Sequence, residues 1–253
     1  MKFWNRKKSQ RIEFFNIEPS VCDNYPIIES KDLKLKWVKE AREDFQDRVA
    51  ERAVNVPNFI HETRCPGIFD LFKYGYILSL YRDIWINPKN KEFDYKFSSR
   101  NLSEKFVKDY GFGIEWQSTD LISKPPWAAD FIVKISTGWH VIAPKGVKFL
   151  VLPIAYPDTF DFTSAIGIVN PAMSTEVNFQ LYWNATKPET IIRAGTPLAH
   201  FIPLTEKKYQ MVQRTMNQQD RDWILKLNNA YDSSFWHHTM RGKVVAMYNK
   251  YWK

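Results

Sequence analysis

Ile191-Ile192-Arg193-Ala194-Gly195-Thr196-Pro197-Leu198-Ala199-His200-Phe201-Ile202-Pro203-Leu204 closes a block of strands that starts near Phe131. Upstream of it lie Phe131-Ile132-Val133-Lys134-Ile135, Phe149-Leu150-Val151-Leu152, Ile166-Gly167-Ile168-Val169 and Val177-Asn178-Phe179-Gln180-Leu181-Tyr182-Trp183. These apolar, β-branched and aromatic runs are bounded by Gly, Pro, Asn and Asp, which punctuate strands. The connections fall at Thr137-Gly138-Trp139-His140, at Ala143-Pro144-Lys145-Gly146 and in a loop from Tyr156 to Phe162. Pro-x-Gly turns between short strands suit a sandwich or a barrel.

Toward the N-terminus, Lys124-Pro125-Pro126-Trp127 introduces this block, and residues 98–120 are mixed, with a helical stretch near Ser103–Asp109. Tyr76–Leu80, Asp83–Ile86 and Phe93–Phe97 read as strands, the last two joined by a hairpin at Asn87-Pro88-Lys89-Asn90. Cys65-Pro66-Gly67 turns the chain into a short helix over Ile68–Lys73, which Gly75 ends. Trp37, Val38, Ala41, Phe45 and Val49 recur at three- and four-residue steps, the pattern of an amphipathic helix over about 34–53. Ile12–Ile17 is a strand stopped by Pro19, and residues 1–10 are a basic tail. Beyond Pro203, Lys208–Arg214 reads as an edge strand and Asp220, Trp223, Ile224 and Leu227 mark a helix over about 217–230. Ser233 or Ser234 caps a last helix whose stripe of Trp236, Met240, Val244, Tyr248 and Trp252 packs on the sheet or receives a partner.

The expected architecture is therefore α+β: one domain over 11–253, with a mostly β, sandwich- or barrel-like core at about 76–204. An N-terminal helix precedes the core and two C-terminal helices over about 217–252 close it. The chain has 253 residues, enough to bury a sizeable core, and 16% of them are aromatic. Rings in that number chiefly fill cores and interfaces. The net charge of +8 suits a nucleic acid, an anionic surface or an acidic partner, although the charge is scattered. Two cysteines, Cys22 and Cys65, exclude a disulfide framework and a four-thiolate zinc site. With no signal-peptide core and no run of membrane-spanning length, the expectation is a protein neither secreted by a signal peptide nor placed in a membrane.

No catalytic constellation stands out. The five histidines are His61, His140, His200, His237 and His238. None forms the His-x-(Asp/Glu) pair of a β-barrel oxygenase, so no metal and no cofactor is expected. The catalytic candidates are Cys65 as a nucleophile with His140 and His200 around one pocket. Phosphate-loop, dinucleotide-binding and nucleophile-elbow motifs are absent. Lys7, Arg11 and Arg241, among basic residues with nearby Trp and Tyr rings, are the binding candidates for a single-stranded nucleic acid.

Gly167-Ile168-Val169-Asn170-Pro171, Glu176-Val177-Asn178-Phe179-Gln180-Leu181 and Gly195-Thr196-Pro197-Leu198-Ala199-His200-Phe201 together resemble the β core of the dUTP pyrophosphatase and dCTP deaminase superfamily. About forty residues carry that likeness. Asn170 stands where the resemblance implies a turn aspartate that positions water, and His200 where it implies a glutamine. An amide cannot take a proton as a carboxylate does, so the fold is expected without the activity. Over most of the chain, Arg64-Cys65-Pro66-Gly67, Tyr74-Gly75-Tyr76, Asp83-Ile84, Pro125-Pro126-Trp127, Ile168-Val169 and Gly195-Thr196-Pro197-Leu198 are similar in order to an uncharacterised family of bacteria and tailed phages. That likeness implies a phage or bacterial source and a place in the host cytoplasm or the virion. The resulting expectation is a non-catalytic, phage-encoded binding or assembly protein whose partners are copies of itself or other phage proteins. The alternatives are a nucleotide- or small-molecule-processing enzyme with Cys65, His140 and His200 around one pocket, and a nucleic-acid-binding accessory protein; Asn170 is a further candidate binding residue.

Overall fold

The computed structural model of the chain describes residues 11–51, 62–89, 91–95, 112–118, 123–187 and 189–232. Among these residues the structure is mixed α+β and rich in strands, with several sheets, four helices and no closed barrel. The barrel expectation is corrected accordingly; two of the sheets face each other across a shared core instead.

The first sheet is built on β7 (Ala128–Ile142), a strand of 15 residues. One edge of β7 pairs antiparallel with β11 (Glu176–Asn184), and β11 in turn with β9 (Phe162–Ser164). The other edge serves two strands in succession: β6 (Phe112–Ser118) as far as Thr137, then β1 (Arg11–Asn16) from Trp139 onward. β14 (Gln210–Thr215) runs parallel to β1 and forms the far edge. The sequence reading breaks the chain at Thr137–His140, whereas β7 passes straight through. Gly138 sits at φ +70°, in the region where a side chain would clash, so the strand swaps partners there without ending. The Thr137 hydroxyl holds this point, donating to the Val177 carbonyl at 2.7 Å and accepting the Trp139 N–H at 3.2 Å.

The second sheet has the order β10 (Gly167–Val169), β8 (Phe149–Leu152), β13 (Pro197–Pro203), β3 (Tyr76–Ser79) and β2 (Ile28–Glu29). The stretch quoted first thus forms the central strand β13, entered through a turn in which the Thr196 N–H donates to the Arg193 carbonyl and Gly195 takes φ +89°. A third, small sheet joins β12 (Thr190–Ile192), β4 (Ile84–Asn87) and β5 (Glu92–Tyr95). Both large sheets extend beyond the expected 76–204 core, because β1, β2 and β14 lie outside that span.

The large sheets meet through rings. Phe14 of β1 lies 5.4 Å from Tyr76, 6.3 Å from Phe149 and 6.2 Å from Phe201, measured between centroids. Burying each such side chain contributes about 1.5–3 kcal/mol.

Four helices lie outside the sheets: α1 (Pro19–Asn24), α2 (Lys36–Glu51), α3 (Pro66–Leu71) and α4 (Gln218–Asp232). The sequence reading uses Pro19 only as a stop. Proline also fits the first position of a helix, where no N–H is needed, and the Glu18 side chain accepts from the Ser20 N–H at 3.3 Å. The reading also leaves out the short strands β6 and β9. The helices expected at Ser103–Asp109 and beyond Ser233 lie outside the described residues.

At the start of α4 the Asn217 N–H donates to Asp220 Oδ2 and the Asp220 N–H to Asn217 Oδ1, a reciprocal cap. Arg214 of β14 donates to both Asp220 oxygens, at 2.5 and 3.0 Å, and to Glu13 of β1 at 3.2 Å. Its guanidinium also lies 4.9 Å from the Phe15 ring centroid. One side chain therefore joins two strands and a helix.

Candidate functional site

Alternation along the second sheet assigns its two faces. Phe149, Val151, Phe201, Tyr76 and Leu78 belong to the main core. Their neighbours point the opposite way and form two rows. In one row Leu152 faces His200, His200 faces Ile77 and Ile77 faces Ile28; in the other Ile168 faces Leu150 and Leu150 faces Ile202.

The first row is covered. Leu35, Ile77 and Ile154 form a second, smaller cluster with Ile28, Leu33, Trp37, Val38 and Phe72 packed against it. Trp37 fastens this cover, donating from Nε1 to the Tyr156 carbonyl at 2.9 Å.

The second row has no such cover among the described residues. Ile168 is 62% exposed and Ile166, two residues earlier, 71%; Leu204 is also exposed, while Leu150 and Ile202 are half-buried. This row runs out at β10, the edge of its sheet. Edge strands in soluble proteins are commonly guarded by brevity, charge, proline or a bulge; β10, Gly167-Ile168-Val169, is three residues long and carries neither charge nor proline. An apolar face and an open edge therefore coincide.

The chemical candidates are dispersed. His140 lies in β7 of the first sheet, with Nδ1 3.1 Å from Thr175 Oγ1 and its ring stacked on Phe15 at 5.3 Å. His200 lies in β13 of the second sheet, 1% exposed and stacked on Phe72. Cys65 is exposed at the start of α3. Asn170 closes the turn after β10: its side chain accepts from Ala172, and its carbonyl from Met173 and Ser174. Arg11 is half-buried at the start of β1, while Lys7 and Arg241 lie outside the described residues. Among the described residues no three His, Cys, Asp or Glu side chains are grouped to hold a metal ion.

His200 has a definite protonation consequence. Its Nε2 lies 2.5 Å from the Tyr74 carbonyl, so that nitrogen carries the hydrogen and donates. Among the described residues the buried Nδ1 has no hydrogen-bond partner. Burial pushes the imidazole below its usual value, and the bond to Tyr74 only partly opposes this. Protonation then favours the unfolded chain, in which the ring titrates normally near 6.5. Stability is expected to be full above that pH and to fall by up to about 1.4 kcal/mol per unit below it, until the folded-state value is reached. Urea titrations of wild type and His200→Gln from pH 7.5 to 5 check this. Parallel pH curves for the two proteins would remove His200 as the cause.

The chain matches no protein-family model, and no curated protein matches it significantly.

Proposed function

We propose that this chain is a non-catalytic assembly protein that joins a second copy of itself through β10. The observation behind this reading is the row Ile202–Leu150–Ile168, uncovered among the described residues and ending on a short, uncharged edge strand. Antiparallel pairing of β10 with its counterpart about a two-fold axis satisfies the free backbone groups of both edges. It also continues the apolar row from one subunit into the next, and an isologous contact of this kind closes after two copies. The strand carries no charge, so like surfaces meet there without direct repulsion despite the net charge of +8.

The separation of His140 and His200 onto different sheets, and the amide at Asn170, support a role without catalysis. The finer reading of the fold, a dUTP pyrophosphatase-like core, draws on the succession of β10, the Asn170 turn, β11 and β13. The wider likeness to a family of bacteria and tailed phages supports a phage or bacterial source. Mass spectrometry of purified particles beside an infected-cell lysate tests whether the assembly is a virion component.

The direct test is sedimentation equilibrium across micromolar to submillimolar protein. A dimer is expected for the wild type and for Ile168→Val, and a monomer for Ile168→Lys. Ile168 is exposed within one chain, so the lysine variant should keep the wild-type circular dichroism spectrum. A wild type that stays monomeric throughout this range would overturn the reading.

A further inference from the structure

His200 stands on the outer face of the second sheet, between Leu152 of β8 and Ile77 of β3. It is 1% exposed, and the Phe72 ring lies parallel to it with centroids 6.3 Å apart. The imidazole thus points away from the main core and into the cover. That cover comes from residues 33–38, at the start of α2, and from Phe72 after α3.

Among the described residues the cover is fastened at few points. The Lys36 N–H donates to both Asp158 oxygens at 3.1 Å, Trp37 donates to the Tyr156 carbonyl, and the Ser30 N–H reaches the Gly75 carbonyl. β7 and β11, in contrast, are paired along most of their length over the ring-filled core. Elements with few buried contacts open at a lower free-energy cost than the core of the same protein.

A second proton on His200 finds no partner. Nε2 already donates to the Tyr74 carbonyl, and among the described residues nothing accepts from Nδ1. An imidazolium there is a charge held against Leu152, Ile77 and Phe72, which is costly. β8, β13 and β3 carry no charged side chain, and Tyr76 of β3 belongs to the main core. In the cover, Lys31 pairs with Glu29, Lys36 with Glu40 and Lys73 with Asp70 at the surface, while Asp32, Lys34 and Asp158 are exposed. Burial lowers the ring's proton affinity, and the Tyr74 bond alone opposes it. Carboxylates titrate at about 4 and lysines at about 10, so His200 is the group of this region that changes charge just below neutrality.

We propose that the cover is an acid-released lid: protonation of His200 lifts residues 33–38 and 72–74 from the second sheet while both large sheets stay folded. Release brings the imidazolium to water and uncovers Leu152, Ile77 and Ile28. These side chains then join the open row Ile202–Leu150–Ile168 in one apolar face. The destabilisation caused by His200 saturates at the cost of lifting the lid.

The test is hydrogen exchange read by mass spectrometry on the full chain at pH 7.5, 6.5 and 5.5. Protection factors are compared, so that the intrinsic pH dependence of exchange cancels. Peptides over 30–38 and 70–75 are expected to lose protection about tenfold per pH unit below about 6.5, while β7 and β11 keep theirs. His200→Gln, whose amide still donates to Tyr74, should give a flat profile over 30–38. Trp37→Phe lacks the bond to Tyr156, and its release is expected to move to higher pH. Should the glutamine variant fail to fold, the contrast between 30–38 and β7 in the wild type decides. Constant protection over 30–38 overturns the proposal, as does an equal loss over β7 and β11 or an unaltered fall in His200→Gln. β10 lies on the opposite edge of the sheet from β2, so the Ile168→Lys variant should give the wild-type profile, and failure of the assembly reading shows separately.

Discussion

Asp220→Ala is expected to destabilise the protein by about 3–5 kcal/mol, the usual loss when one partner of a buried ion pair is removed. Asp220 is 1% exposed, and its carboxylate accepts two bonds from Arg214 and one from the Asn217 N–H. The substitution strips the cap from α4 and leaves the Arg214 guanidinium between Glu13 and the Phe15 ring without its main anion. Removing both charges in Arg214→Met with Asp220→Leu should recover part of the loss, because an apolar pair of similar volume carries no desolvation cost. Urea unfolding followed by tryptophan fluorescence gives all three values. A loss below 1 kcal/mol for Asp220→Ala would show that the network is incidental to the β1–β14–α4 junction.

Gly75→Ala carries the other large expected effect. Gly75 has φ +79°, and a methyl group built on it would lie 2.5 Å from the Phe201 carbonyl oxygen and 3.0 Å from the Ile202 Cα. The backbone conformation alone costs about 1–2 kcal/mol for a residue with a side chain. The overlap adds to that, since both obstacles belong to the β13 backbone and cannot swing aside. The turn is held on its other side by the His200 bond to Tyr74 and by the Ser30 N–H, which donates to the Gly75 carbonyl at 3.0 Å. A fall in melting temperature of several degrees is expected, together with loss of hydrogen-exchange protection in β3 and β13. Unchanged protection there would mean that the turn yields without disturbing the sheet.

Much of the strand pattern is legible in the residues. Phe149–Leu152 is β8 end to end, and Val177–Trp183 lies inside β11, because apolar alternation bounded by turn formers is local information. The helices at 36–51 and 218–232 follow from three- and four-residue spacing in the same way. Gly138 shows where local information fails: a glycine between two apolar runs reads as a turn, yet here it is an interior point of one strand where the pairing partner changes. β6 and β9 gain their strand form from pairing with β7 and β11, which no window of their own sequence records.

The candidate sites divide along the same line. The sequence reading sets His200 in an apolar run but His140 in a connection, and only the tertiary pairing shows both buried in strands. Their placement on separate sheets depends on pairings across the chain, such as Phe15 with His140 and Ile77 with His200. The open row at Ile168 has no linear signature, because it unites segments distant in sequence. Periodicity and turn chemistry, which act over a few residues, gave the chain its strands, its helices and its aromatic core. Which faces stay open was decided only when distant strands chose their partners, since burial depends on what lies across a gap in space.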